Sequence, residues 1–308
     1  SEMCIRDRIC ALNLVTLDFI YSGIHRLPGL GEEVSTNHLT LSLGGGPIAS
    51  LITAARLGAT VRLATCLGRD RFSCIARDFL KQEAIPYRSF ETSMKAGQSP
   101  VNVTSVMSIQ GVDRSFVSYF PNTAFYRDTS PELLHYLSDC AYCIASSPNV
   151  QLFHMLKNAG CRVVYDVGWS DDLSIEELRD VLSAVYLFSP NEKEALKLTG
   201  ADSVRSALLK LAEYVEHPIV KLGKEGALFL CQGEVVHVDP VDFDNIVDTT
   251  GAGDAFLGGV TYGLLQGWEL HRCVELGNYA GGKATTGIGC LTSKASIDEF
   301  ERLCRKRR

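Results

Sequence analysis

The stretch Asp248-Thr249-Thr250-Gly251-Ala252-Gly253-Asp254-Ala255-Phe256 sets three small residues directly before a carboxylate. An apolar, glycine-spaced run follows, Phe256-Leu257-Gly258-Gly259-Val260, and reads as the start of a helix. Gly251, Ala252 and Gly253 leave their backbone N–H groups uncovered by bulky side chains. Such amides at a helix N-terminus, with the helix dipole behind them, form an anion site. Asp254 then adds negative charge where an anion would already be held. That is unfavourable unless the carboxylate has chemistry to do, such as taking a proton from a hydroxyl that attacks phosphate. A glycine-rich turn closed by an aspartate cap would carry the same local sequence, so the stretch needs support from the rest of the chain.

Working outward, the C-terminal third reads as helical: Asp254–Leu265, Leu270–Thr286 and Ile297–Lys306. Before it, short apolar strands alternate with helices. Strands fall near Ala141–Ala145, Arg162–Asp166, Val185–Phe188, Ile219–Leu222, Ala227–Cys231 and Val235–Val238. Helices fall near Asn149–Asn158, Ile175–Leu182, Asn191–Leu198 and Val204–Tyr214. This alternation predicts an α/β fold, a mostly parallel sheet with helices on both faces. Ile9–Leu17 reads as its first strand, with Asp18 at the carboxyl end. Pro47 opens a helix that Gly58 closes. Val34–Leu43, Val101–Ile109 and Arg114–Phe120 alternate polar and apolar residues, as two-faced strands do. They do not suit the parallel sheet, and predict a small second sheet, a lid inserted from about 19–43 and 98–121 into a single domain spanning 1–308.

Composition fits an enzyme with a sizeable core. The chain has 308 residues, 46% hydrophobic and 21% charged. A formal net charge of -6 argues against wholesale nucleic-acid binding. No apolar run approaches the ~20 residues that cross a membrane. Eleven cysteines without regular spacing suit a reducing compartment, so a cytoplasmic protein is expected. Cys140 and Cys143 form a lone Cys-x-x-Cys without a second pair, read as part of a strand rather than a metal or redox site. Ser1–Arg8 are set aside as foreign to the fold. There is no P-loop motif and no protein-kinase His-Arg-Asp motif.

Three further motifs precede the opening stretch in order: Gly44-Gly45-Gly46-Pro47, Asn191-Glu192-Lys193-Glu194 and Lys221-Leu222-Gly223-Lys224-Glu225-Gly226. Together the four resemble the motif set of the ribokinase and phosphofructokinase-B family of carbohydrate kinases, over roughly residues 9 to 303. The resemblance implies a ribokinase-like fold with a β-sheet lid over a sugar, and an ATP- and Mg2+-dependent transfer to a primary hydroxyl. It implies Asp254 as general base, with the amides of Gly251, Ala252 and Gly253 as anion hole. Asp18 and the Gly44, Gly45 and Gly46 backbone would hold the sugar. Asn191, Lys221, Gly223, Gly226 and Asn278 would meet the nucleotide. Glu194 would organise hydrated magnesium. Asp248, with carbonyls near Ala284 and Gly289, resembles a monovalent-cation site, so K+ is expected to activate. A homodimer through the lid is a further expectation.

Each assignment has a plainer alternative. Asn191 and Glu194 could be a helix cap and a first-turn glutamate. Asp18 and Asp248 could be turn residues, and Lys221 a surface lysine at a strand end. One departure stands out. Where the family's glycine motif has an asparagine, this chain has Ala49, in the Gly-Gly-Gly-Pro-x-Ala-Ser/Thr form seen in sulfofructose kinase and some other non-ribokinase members. Ala49 is therefore expected to line the pocket and help set the substrate. Two rivals stay open: a nucleoside kinase of the same fold, and a non-catalytic ribokinase-like binding protein.

Overall fold

Strict alternation in the first strand shows why the chain forms a two-sided core. In β1 (Arg8–Leu12), Ile9 and Ala11 join one buried cluster, and Cys10 and Leu12 join another on the opposite face. Such a strand has no solvent face and must sit inside a sheet covered on both sides. The computed structural model describes residues 6–91, 98–109, 114–121 and 123–307.

The chain leaves the large sheet after Leu12 for a second one, through β2 (Thr16–Ile24) and β3 (His38–Gly44). It returns through α1 (Gly46–Arg56), β4 (Thr60–Thr65), α2 (Arg71–Gln82) and β5 (Tyr87–Ser89), then crosses back for β6 (Asn102–Ile109) and β7 (Arg114–Tyr119). From α3 (Pro131–Ser138) the alternation is regular: β8 (Tyr142–Ala145), α4 (Val150–Asn158), β9 (Arg162–Tyr165), α5 (Ile175–Ala184), β10 (Leu187–Phe188), α6 (Glu192–Thr199), α7 (Val204–Leu211) and β11 (His217–Lys221). A hairpin, β12 (Ala227–Cys231) and β13 (Glu234–Val238), and three helices, α8 (Ala252–Leu265), α9 (Leu270–Ala284) and α10 (Ile297–Arg307), complete it. Side-chain caps fix several starts: Ser130 on α3, Asn149 on α4 and Ser174 on α5 each accept from an N–H three residues on.

Among the described residues, nine strands form the large sheet in the order β13-β12-β11-β10-β9-β8-β1-β4-β5, parallel except where β12 pairs with β11 and β13. Helices α3 to α7 pack on one face and α1, α2, α8 and α9 on the other. The small sheet has the order β3-β2-β6-β7, with β2 and β6 parallel and the outer pairs antiparallel. No helix among the described residues is long and apolar enough to cross a membrane.

Two expectations change. Ile9–Leu17 is not one strand: the chain turns at Asn13–Val15, and Asp18 stands inside β2 of the small sheet. Residues 9–17 are apolar enough for one strand, and only the pairing partners separate β1 from β2. Arg8, set aside above, is the first residue of β1 and pairs opposite Thr60. Residues 111–113, a Gly-Val-Asp stretch whose sequence suggests a hairpin-like turn, lie outside the described residues.

Candidate active site

Helix α8 begins at Ala252, with Gly251 as its cap in the left-handed region (φ 73°) and no side chain bonded to the first turn. A Cβ on Gly251 would fall 2.1 Å from Cys290 Cβ, so glycine is required by space as well as by backbone angle. Gly251, Gly253 and Asp254 all line one pocket. The first turn thus meets the cleft without a capping side chain, as the anion-hole reading requires. Ala252 N–H also reaches Thr249 O, at 3.3 Å, which holds the loop against the helix.

Asp254 is fixed by packing. Ser50 Oγ, on α1, bridges the carbonyls of Gly46 (3.1 Å) and Asp254 (2.8 Å), tying α1 to the first turn of α8. Gly258 comes so close to α1 that a Cβ there would lie 2.4 Å from Ser50 O. The triple glycine serves the carboxylates. A Cβ at Gly44 would sit 2.1 Å from Asp18 Oδ2, and one at Gly46 would sit 2.6 Å from Asp254 Oδ1. Any side chain there would displace the two acids.

Three adjoining cavities share residues and so form a continuous cleft. The first, about 630 Å3, is lined by Asp18, Gly45, Gly46, Thr250, Asp166 and Asp254, with Asn13, Asn102, Tyr126 and the aromatic rings of Phe116 and Phe120. The second, about 320 Å3, holds Asp166, Asp254, Asn191, Glu194, Lys221, Gly223, Gly251 and Gly253. The third, about 260 Å3, runs from Lys221, Gly223, Gly226, Ala252 and Gly253 to an apolar end at Val241, Phe243, Ile246 and Phe256, where Asn278 also lies. Asp254 belongs to the first two cavities, and Lys221 to the last two.

The electrostatics follow from burial. Asp254 is raised to about 6, by burial and by the Asp166 charge, with Lys221 opposing. Burial, then Asp254, raises Asp18 to about 6. Burial, partly offset by the Asn191 N–H, raises Glu194 to about 7. These are the tunings expected of acids that exchange protons or await a cation.

Several expectations need refinement. Asn191 and Glu194 form a reciprocal capping box on α6: Asn191 Oδ1 accepts from Glu194 N at 2.9 Å and Glu194 Oε2 accepts from Asn191 N at 2.8 Å. The cap therefore exists, and it sets Glu194 at the cleft. Lys221 is not a surface lysine. Its Nζ donates to Asp166 Oδ2 at 2.7 Å, and both side chains are mostly buried. Asp166 was missed; its signal was an acid at the carboxyl end of a parallel strand. Asn13, a polar residue closing an apolar strand, was missed too. It accepts from Tyr126 Oη at 2.9 Å and donates to Leu14 O at 3.0 Å. Gly44 packs against Asp18 but does not line the cavity. Asn278 spends its amide hydrogens on Val238 O and Asp239 O, fastening α9 to the end of β13, and offers a nucleotide only its Oδ1.

One expectation is corrected. Ala49 does not line the pocket: it is 2% exposed and packs in the core under α1, because Gly46, Pro47 and Ser50 are the α1 residues turned to the cleft. Asp248, expected at a monovalent-cation site, meets protein donors. Its carboxylate accepts from Arg114, Thr250 and the Gly289 N–H.

Known proteins are similar to this chain over nearly its whole length. A ribokinase of Haemophilus influenzae is 25% identical over 299 residues, covering 94% of this chain and 95% of that one. A deoxyribokinase of Salmonella typhi is 27% identical over 297 residues, covering 90% and 92%. The structure of Arabidopsis thaliana ribokinase complexed with ribose and ATP superposes with a TM-score of 0.82 at 23% identity, covering 97% of this chain and 98% of that one. The nucleoside kinase of Methanocaldococcus jannaschii superposes with a TM-score of 0.78 at 17% identity. With the pfkB family carbohydrate kinase pattern matched over residues 8–297, this chain belongs to that family and is an ATP-dependent sugar kinase.

Proposed function

We propose that this kinase transfers the γ-phosphoryl group of ATP to a primary hydroxyl of a small, uncharged sugar or sugar derivative. The observation that carries the reading is the place of Asp254. It stands at the wall shared by the large cavity and the pocket at the α8 N-terminus. Asp18 and the Gly45–Gly46 backbone would hold the acceptor in the large cavity. Asp254 would take the hydroxyl proton as the oxygen bonds to phosphorus and the bond to ADP breaks. The amides of Gly251, Ala252 and Gly253, with Lys221, would face the phosphoryl oxygens, while the small sheet closes as a lid to exclude water.

The residues present fit magnesium. Glu194 is a buried acid lining the pocket at the α8 N-terminus, and a hydrated Mg2+ needs few protein carboxylates. Bound with ATP, the ion would neutralise charge on the transferring phosphates. The adenine would occupy the apolar end of the third cavity.

An uncharged acceptor is supported by the lining of the large cavity. It includes the acids Asp18, Asp166 and Asp254 and, among the described residues, no lysine, arginine or histidine. A sugar phosphate would enter this field without a counter-charge. A nucleoside is the second reading, supported by the rings of Phe116 and Phe120, which offer a base a stacking surface. Phosphate transfer from ATP to a panel of neutral sugars, sugar phosphates and nucleosides tests both. A preference for a phosphorylated acceptor would overturn the uncharged-substrate reading.

A further inference from the structure

Asp248 lies six residues before the base, at the start of the loop that becomes the anion hole. A monovalent cation there would need several convergent oxygens, and the Asp248 oxygens already hold protein donors. Oδ1 accepts from Thr250 N at 2.9 Å, Thr250 Oγ1 at 2.6 Å and Arg114 Nη1 at 2.9 Å. Oδ2 accepts from Gly289 N at 2.8 Å. Thr285 O accepts from Val247 N and Asp248 N, and Ala284 O accepts from Gly287 N. Although burial alone would raise it, the Asp248 carboxyl is held below its ordinary value by these donors and the Arg114 charge.

Arg114 comes from the other sheet. It is the first residue of β7, 134 positions before Asp248 in the chain. Its guanidinium makes a fork: Nη1 to Asp248 and Thr250 Oγ1, Nη2 to Thr249 Oγ1 at 3.1 Å. The Arg114 and Asp248 side chains are 23% and 16% exposed, so this pair is shielded from solvent screening far more than a surface bridge. A planar fork fixes three groups of one loop at once, which a spherical ion does not.

We propose that Arg114 is a built-in cation: a positioning residue on the lid that holds the 248–251 loop, and with it the first turn of α8, in the form that receives phosphate. Two consequences follow. Turnover does not depend on a monovalent cation, and the anion hole is ordered only while the lid is down, because lifting β7 removes the fork. Arg114 touches the loop and not the reacting atoms, so its effect falls on the rate rather than on acceptor binding. The proposal rests on the kinase reading of the Asp254 site.

The test compares wild type, Arg114→Ala and Arg114→Lys at matched ionic strength in potassium, sodium and tetramethylammonium chloride. Wild-type kcat is expected to agree within about twofold across the three salts. Arg114→Ala is expected to lose about 10- to 100-fold in kcat, the effect of a misplaced site, with KM for acceptor and ATP within about threefold. Low, non-denaturing guanidinium should restore part of that loss by refilling the fork, and Arg114→Lys should fall between. Hydrogen exchange gives a readout independent of turnover. Amides 248–256 should exchange about tenfold faster in Arg114→Ala while β8 and β9 stay protected, which also shows the variant is folded. Activation of the wild type by potassium would overturn the proposal. So would unchanged exchange at 248–256, or a rise in KM for acceptor or ATP with kcat intact, which would make Arg114 a substrate ligand. If no acceptor is phosphorylated, the kinase reading fails, while exchange still decides the role of Arg114.

Discussion

Asp254 pits stability against function at a single residue. Its folded pKa, about 6, exceeds the ordinary 3.8, so the protonated form favours folding. That contribution is present below about 3.8 and is lost as pH rises through about 6, where the carboxylate ionises in place. Asp254→Asn should therefore raise Tm at pH 7.5 by about 2–5 °C, from about 1–2 kcal/mol once partial exposure is discounted. It should cut kcat by roughly 10²-fold or more. In the wild type kcat should climb with pH through about 6. A mutant that is no more stable, or turnover that is near normal at saturating substrate, would sink the assignment. Ala49 gives the opposite expectation. With a buried Cβ, Ala49→Asn places an amide in the core and should cost about 1–3 kcal/mol without changing preference across a sugar panel. A specificity change of tenfold would restore Ala49 to the pocket.

At the scale of elements, the site depends on how closely α8 lies against α1 and α9. Glycines make that approach possible: Gly258 faces Ser50 O, and Gly259 faces Leu276 O. Gly258→Ala should gain about 1 kcal/mol in helix propensity. Against this stands a Cβ 2.4 Å from a backbone oxygen and 2.8 Å from Thr53 Cβ, which no rotamer change can relieve. Overpacking of this kind costs about 1–3 kcal/mol and shifts the helix, so the clash wins. The measured outcome should be a lower Tm together with a lower kcat, since the same helix carries Asp254. A stabilised, fully active variant would show that the α1–α8 contact does not set the base.

At the scale of the molecule, the small sheet is the part with the least core of its own. Phe116, Val117, Tyr119 and Phe120 are about half exposed or more, as is Leu39 on β3. A sheet with one uncovered face opens more readily than the doubly covered large sheet. Amides of 38–44, 102–109 and 114–119 should exchange faster than those of β1, β8 and β9, and slow when sugar and a nucleotide analogue are both added. Identical exchange with and without ligands would make this region part of a rigid core.

What the sequence determined by itself is what depends on near neighbours. Periodicity located the alternating strands and helices and separated the two-faced strands from the buried ones. The glycine and acid motifs named Asp254, Asn191 and Glu194 in their correct local setting, because helix starts and tight turns are decided within a few residues. Tertiary structure decided everything that joins distant segments. It split Ile9–Leu17 between two sheets, since an apolar run does not say which strand it will pair with. It buried Ala49 and turned Ser50 toward Asp254. It set Lys221 on Asp166, 55 positions away, and Arg114 on Asp248, 134 away. A charge in a sequence reads as solvated or catalytic until its partner is known. The partner is chosen by the fold, because only burial makes an unpaired charge costly enough to select one.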